Sequence, residues 1–141
     1  MRDYSSFSIQ RKVYAHETYL DIVVDVLLKN DPLRAGFIQC IYFKESQNLT
    51  IEDIAVHFKF WRKGLGLLNI SEVLKILREK NLDVKTAVAE GVGCYSQTPE
   101  IRAGVEAFWS SLGFKESEQD KWLEEWIVDG KTLETKLKEK L

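Results

Sequence analysis

Apolar residues along this chain switch between two spacings, and each switch marks an element. Phe7, Ile9 and, after a basic pair, Val13 alternate loosely and predict a short strand over Phe7 to Tyr14. From Glu17 or Thr18 the spacing becomes helical. Tyr19, Ile22, Val23, Val26 and Leu27 form a stripe with Asp21 and Asp25 opposite, and Asn30-Asp31-Pro32 ends it. Gly36 to Phe43 is a nearly continuous apolar run and predicts a buried strand. After a polar turn, Lys44 to Asn48, the run Ile51 to Phe60 is rich in β-branched and aromatic residues. It predicts a second strand in an antiparallel hairpin with the first.

The turn Trp61 to Gly66 leads into a helix. Ile70, Val73, Leu74 and Leu77 make its apolar stripe, with Glu72, Lys75 and Glu79 among the residues facing away. Asn81 and Asp83 stop it. Val84 to Glu90 is the next strand, with Val84, Thr86, Val88 and Glu90 on one face, so strand, helix and strand make a crossover candidate. Gly91 to Thr98 is a loop carrying Cys94, Tyr95, Ser96 and Gln97. Thr98 and Pro99 open a helix bearing Ile101, Val105, Phe108, Trp109 and Leu112, which ends at Gly113. A polar strand with a turn (Phe114 to Lys121), an aromatic strand (Trp122 to Val128) and a terminal helix (Lys131 to Leu141) complete the chain. This order predicts an α/β (α+β) fold: a mixed, mostly antiparallel central sheet with helices on both faces, forming a single domain over residues 1–141.

Composition narrows the function. The net charge of −2 gives no electrostatic reason to bind nucleic acid or an anionic membrane. No apolar run is long enough to span a bilayer, and the first ten residues lack the apolar core of a secretory signal, so a cytoplasmic protein is expected. Cys40 and Cys94 stand apart from His16 and His57, which predicts no metal site and two buried, reduced thiols.

The candidate chemistry lies in the turn. A strand, a glycine-containing turn with Arg62 and Lys63, and a helix N-terminus make an anion cradle, because the free N–H groups of the first helical turn point outward. The glycines do not have the spacing of a dinucleotide fingerprint, and Lys63 precedes Gly64 where a phosphate-binding P-loop has its lysine after the glycine. Taken alone, Gly64 and Gly66 equally fit a tight strand-to-helix turn, and Arg62 and Lys63 fit solvated surface charges.

The longer string I-E-D-I-A-V-H-F-K-F-W-R-K-G-L-G resembles the signature of the GNAT superfamily of acyl-CoA-dependent N-acyltransferases, close to I-E-D-L-Y-V-H-P-E-Y-R-G-K-G-I-G. Ile51, Glu52, Asp53, Val56, His57, Lys63, Gly64 and Gly66 are identical to that form. Downstream, A-F-W-S-S-L-G-F (Ala107 to Phe114) is similar to the family's A-L-Y-E-K-L-G-F. The resemblance implies acetyl-CoA as cosubstrate and a small-molecule or protein amine as acceptor. It implies that backbone groups of Ile54 and Val56 pair with the pantetheine arm. It also implies that N–H groups from Arg62 through Lys63, Gly64, Leu65 and Gly66 to Leu67 hold the pyrophosphate. Glu52 or Asp53 is then the proton acceptor; adjacent strand residues point to opposite faces, so one of them reaches the site, and Glu52 is preferred. Both also fit as ordinary polar strand residues.

Three positions depart from the family. Trp61 stands where it has Arg or Gln, Arg102 where it has Asn, and Trp109 where it has the Tyr that often protonates the thiolate. Indole cannot titrate as that acid, which leaves Tyr95, Ser96 or Ser110 as substitutes. The start also has room for one helix where the family usually has two, which help wall the acceptor site. A catalytically degenerate module that binds CoA or a protein partner is therefore the alternative, with a plain α/β interaction domain third. Trp109 and Phe108 fit the core. Trp122 and Trp126 share a face that is core or a dimer contact, and a homodimer is consistent with the family's habit.

Overall fold

The computed structural model describes residues 3–31, 33–91, 98–117 and 125–141. The chain opens with four antiparallel strands, β1 (Phe7–Ala15), β2 (Tyr19–Leu28), β3 (Arg34–Phe43) and β4 (Asn48–Val56). A 3-10 turn (Phe58–Phe60) leads to α1 (Leu65–Glu79). Then come β5 (Thr86–Ala89), α2 (Pro99–Ser111), β6 (Lys115–Glu116), β7 (Trp126–Asp129) and α3 (Gly130–Lys140). The sheet order is β1-β2-β3-β4-β5-β7-β6, and every neighbouring pair is antiparallel except β4 and β5. The fold class is therefore the expected one, a mixed, mostly antiparallel sheet with helices packed against it.

The helix expected from Glu17 is instead β2. Ile22, Val23, Val24 and Val26 are β-branched, and the even-numbered residues Leu20, Ile22, Val24 and Val26 are all buried. A helical count captures Ile22 and Val26 but leaves Leu20 and Val24 out of its stripe. Only His16, Glu17 and Thr18 separate β1 from β2.

The core is built from rows that cross the sheet in register. Leu20, Tyr42, Leu49, Ala87 and Val128 lie side by side, and Ile22, Cys40, Ile51 and Ala89 form the next row. All are buried, and Ile70, Val73, Ile76 and Leu77 of α1, Trp109 and Leu112 of α2, and Leu133 and Leu137 of α3 join the same cluster. Helices on both faces were expected; the buried side chains of all three described helices instead meet this one face. With the Glu17 segment a strand, no described helix remains for the other face. There Tyr19, Asp21, Val23, Phe37, Gln39 and Ile41 are half-buried among themselves and Phe43 is exposed. The shortened start thus affects the sheet face rather than merely the helix count.

One residue expected on the outside of α1 is not there. Glu72 is buried and accepts hydrogen bonds from Arg11 of β1, at 2.8 Å from Nη2 and 3.2 Å from Nε. Lys75 reaches its other oxygen at 3.3 Å, and Arg11 also pairs with Glu79 at 2.8 Å. This network ties α1 to the edge strand and so fixes where the N-terminus of α1 points. Trp126 is half-buried against the core, whereas Trp122 lies outside the described residues.

Candidate functional site

The site begins where β4 leaves β5. The two strands pair over Asn48–Ile51 and Thr86–Ala89, and one further bond runs from the Glu90 N–H to the Ile51 carbonyl at 3.1 Å. On its other side β4 stays paired with β3 as far as Val56, but the register slips: Cys40 faces Ile51 and Gln39 faces Asp53. Glu52 is the extra residue, a β-bulge. Beyond it, the His57 N–H donates to the Ala35 carbonyl at 2.8 Å. Antiparallel alternation from that bond turns Ala55 and Asp53 toward β3, and the backbone groups of Ile54 and Val56 away from it. Those groups face the gap left by β5.

The gap ends at the turn before α1. Arg62 and Gly64 both have left-handed backbones, with φ of 67° and 80°. That conformation is cheap at Gly64 and strained at Arg62. Gly64 is the N-cap of α1 but supplies no side-chain cap, and the first turn carries no acid. The N–H groups of Leu65, Gly66 and Leu67 are therefore left to an external acceptor, with the positive end of the helix dipole behind them. The Tyr4 hydroxyl donates to the Gly64 carbonyl at 3.0 Å, which steadies the turn from the N-terminal side. Arg62 and Lys63 are exposed; Lys63 Nζ lies 5.8 Å from the Phe60 ring centre. Gly66 has a second reason to lack a side chain. A Cβ there would come within 3.1 Å of the Phe108 ring, so it is where α2 closes on α1.

Trp61 enters this gap from the turn. Its indole N–H donates to the Val56 carbonyl at 2.8 Å while the side chain stays 55% exposed. Nothing in the spacing of the sequence foretold that contact.

At the other end of the gap, Glu52, Glu90, Gly91 and Glu125 line a hollow of about 370 Å³. Asp53 does not line it. The alternation that set Glu52 and Asp53 on opposite faces is interrupted by the bulge, and both are exposed. Glu90 and Glu125 were missed as site residues. The signal was available for Glu90: once β4 and β5 are taken as parallel neighbours, the last residue of the Val84 run falls beside Glu52. Burial, with Glu52 and then Glu125 nearby, pushes the Glu90 carboxyl above its ordinary range.

Below an ordinary pKa of 4.5, Glu90 is protonated in both folded and unfolded chains and costs nothing. Between that value and its higher folded one, the folded state holds the proton that the unfolded state has released, and stability falls with rising pH until the carboxyl is ionised in both. Glu90→Gln is expected to raise the thermal midpoint near pH 7 and leave it unchanged near pH 4. Paired melting curves check this; an equal rise at both pH values would show that the charge is not the cause.

Of the remaining candidates, Tyr95 and Ser96 lie outside the described residues. Trp109 is buried, 3% exposed, with its ring edge-on to Phe108 and Phe114, as a core residue should be. Arg102 pairs with Glu106 at 3.5 Å. Thr98 caps α2 by accepting from the Ile101 N–H at 3.3 Å. His57 caps the 3-10 turn through Nδ1 and stacks on Phe58, which gives it a structural job. Cys40 is fully buried, and that burial, with the Glu52 charge nearby, pushes its thiol pKa far up, so it is inert. Among the described residues no group of His, Cys, Asp and Glu is arranged to hold a metal.

A bulged strand parting from its parallel neighbour above an uncapped helix is the frame of the acyl-CoA-dependent N-acyltransferases. The chain belongs to the Acetyltransferase (GNAT) family, whose model matches residues 4–114. Solved structures have the same fold. A GNAT-family protein from Desulfovibrio desulfuricans superposes with a TM-score of 0.62 at 15% identity, over 87% of this chain and 98% of that one. The PaiA N-acetyltransferase of Thermoplasma acidophilum, solved in complex with coenzyme A, gives 0.56 at 16% identity, over 79% and 60%. Elp3 from Methanocaldococcus infernus gives 0.60 at 12% identity, over 92% of this chain; the chain spans only 31% of that protein. A search of curated proteins finds no match. No described helix is long and apolar enough to cross a membrane.

Proposed function

We propose that this chain is an N-acetyltransferase, moving an acetyl group from acetyl-CoA to an amine. The observation that carries the reading is the backbone edge of Ile54 and Val56, turned away from β3 and paired with no strand, which runs directly to an uncapped helix N-terminus. An extended chain with amide groups can add to that edge as a strand does. A diphosphate at its far end can accept from the N–H groups of Arg62 and of residues 64–67, the Lys63 N–H being turned to the Phe60 carbonyl at 3.4 Å, with the Arg62 and Lys63 side chains adding charge. A pantetheine diphosphate has both parts in that order.

The acetyl thioester then lies toward the carboxylates. An ammonium ion is drawn to Glu52, Glu90 and Glu125, and loses its proton to Glu52, directly or through water. The neutral nitrogen attacks the thioester carbonyl carbon, the C–S bond breaks and CoA leaves as the thiolate; the proton that the nitrogen sheds on becoming an amide passes through water, or through Tyr95, to the thiolate. The acceptor is an amine, on a small molecule or a protein. We take the chain as one cytoplasmic domain over residues 1–141, able to form a homodimer. A second reading has its own observation. Trp109 fills the position of the family's hydroxyl acid and is sealed in the core, which favours a module that binds CoA, or a protein, without turnover.

Calorimetric titration with acetyl-CoA and with free CoA, followed by thiol release in the presence of amines, separates these readings. Binding with thiol release supports the enzyme. Binding without release from any amine supports the module. A folded protein that binds neither ligand rejects CoA dependence and directs the search to protein partners.

A further inference from the structure

We propose that Trp61 sets the affinity of this site by occupying it: its indole holds the hydrogen-bonding place on Val56 that the pantetheine arm takes, and must leave when the ligand enters. The inference rests on the CoA reading above. The Val56 carbonyl is one of the strand groups turned away from β3 and toward the gap, by the alternation that the His57–Ala35 bond fixes. The Trp61 indole N–H donates to that carbonyl at 2.8 Å. And Trp61 is held there by little else, for its side chain is 55% exposed and its neighbour Phe58 is 66% exposed.

A hydrogen bond at an exposed carbonyl is easily exchanged for another, because water satisfies the same acceptor when the indole is away. It is a weak latch rather than a structural cap. An amide N–H of the incoming arm competes for the same oxygen, so the energy of the indole bond is subtracted from the binding energy. A chain with an unoccupied strand edge would bind more tightly. Trp61 thus acts as a positioning residue for the edge. Because it sits three positions before Gly64, its departure also bears on the strained left-handed backbone of Arg62 between them.

The test compares wild type with Trp61→Phe, which keeps an aromatic ring and removes only the N–H donor. Acetyl-CoA is titrated calorimetrically into both, and indole N–H resonances are followed by NMR. The Trp61 resonance is assigned as the one missing from the variant. Equal thermal midpoints establish that the variant is folded, as expected for an exposed side chain. The expected result is binding that is about three- to tenfold tighter in Trp61→Phe, the size of one modest hydrogen bond, with the Trp61 indole resonance moving on saturation of wild type. Binding to the variant alone supports the latch in its strongest form. Equal affinities, or weaker binding by the variant, overturn the proposal while leaving the CoA reading intact. Binding by neither protein overturns both.

Discussion

Gly64→Asp is expected to abolish measurable coenzyme A binding while leaving the chain folded. Gly64 sits at φ 80°, and Asp is among the side chains that tolerate this left-handed region best. The new carboxylate would lie at the N-terminus of α1, where no acid now stands and no side chain caps the helix. The helix dipole favours that negative charge, so the fold keeps its stability for the same reason that the ligand is refused. At roughly 4 Å, two like charges near a protein surface repel by about 1–4 kcal/mol. A diphosphate faces that repulsion and loses N–H donors to the competing carboxylate. The affinity should fall by about 100-fold or more, since each 1.4 kcal/mol is about a factor of ten. Gly64→Asn carries the same shape without the charge and should keep most of the binding. If both variants lose it equally, backbone strain rather than charge is responsible, and the anion cradle is the wrong description of the turn.

Arg11→Ala is expected to cost about 2–3 kcal/mol of folding stability in urea titrations, somewhat less than the roughly 3–5 kcal/mol of a fully buried pair. Glu72 would be left buried with only Lys75, whose ammonium stands 3.3 Å from its second oxygen. Arg11 itself is one-third exposed, so water compensates part of the loss. Replacing both partners by leucine should recover most of the stability, since no buried charge then remains. A loss below about 0.5 kcal/mol in Arg11→Ala would mean that Glu72 reaches water despite its burial. The experiment has a functional side. Arg11 grips α1 two turns past the cradle, so weakened CoA binding in this variant would show that the pose of the helix, and not only its sequence, makes the site.

The elements that were legible in the sequence are those whose local chemistry and tertiary setting agree. The Gly36 strand, the α1 stripe, the Thr98 cap and the Gly113 stop are each fixed by residues a few positions apart, and each stands where the spacing put it. β2 was misread because its second face is unusually apolar. Val23 and Leu27 look like part of a helical stripe until the β-branched residues are weighed. Glu72 was misread because its partner lies 61 residues away on a strand, and periodicity carries no information about that distance. The turn of the candidate site was legible from Arg62, Lys63, Gly64 and Gly66. The carboxylates around the hollow were only partly so, because Glu52, Glu90 and Glu125 come together through sheet order. The Trp61 contact depends on where a strand carbonyl points, which no composition or spacing encodes.

The bulge at Glu52 amounts to a change of parity within a single strand. Before it, Leu49 and Ile51 carry the buried side chains, and the Ile51 carbonyl takes part in the pairing with β5. After it, Ile54 and Val56 turn their side chains inward and their edge groups toward open space. Odd-numbered residues thus face β5 before the bulge and β3 after it, which leaves Ile54 and Val56 to serve the gap. Two half-strands in opposite phase are spliced by one glutamate, and that residue, pushed out of step with both halves, is the one left standing at the junction where the chemistry is proposed to occur.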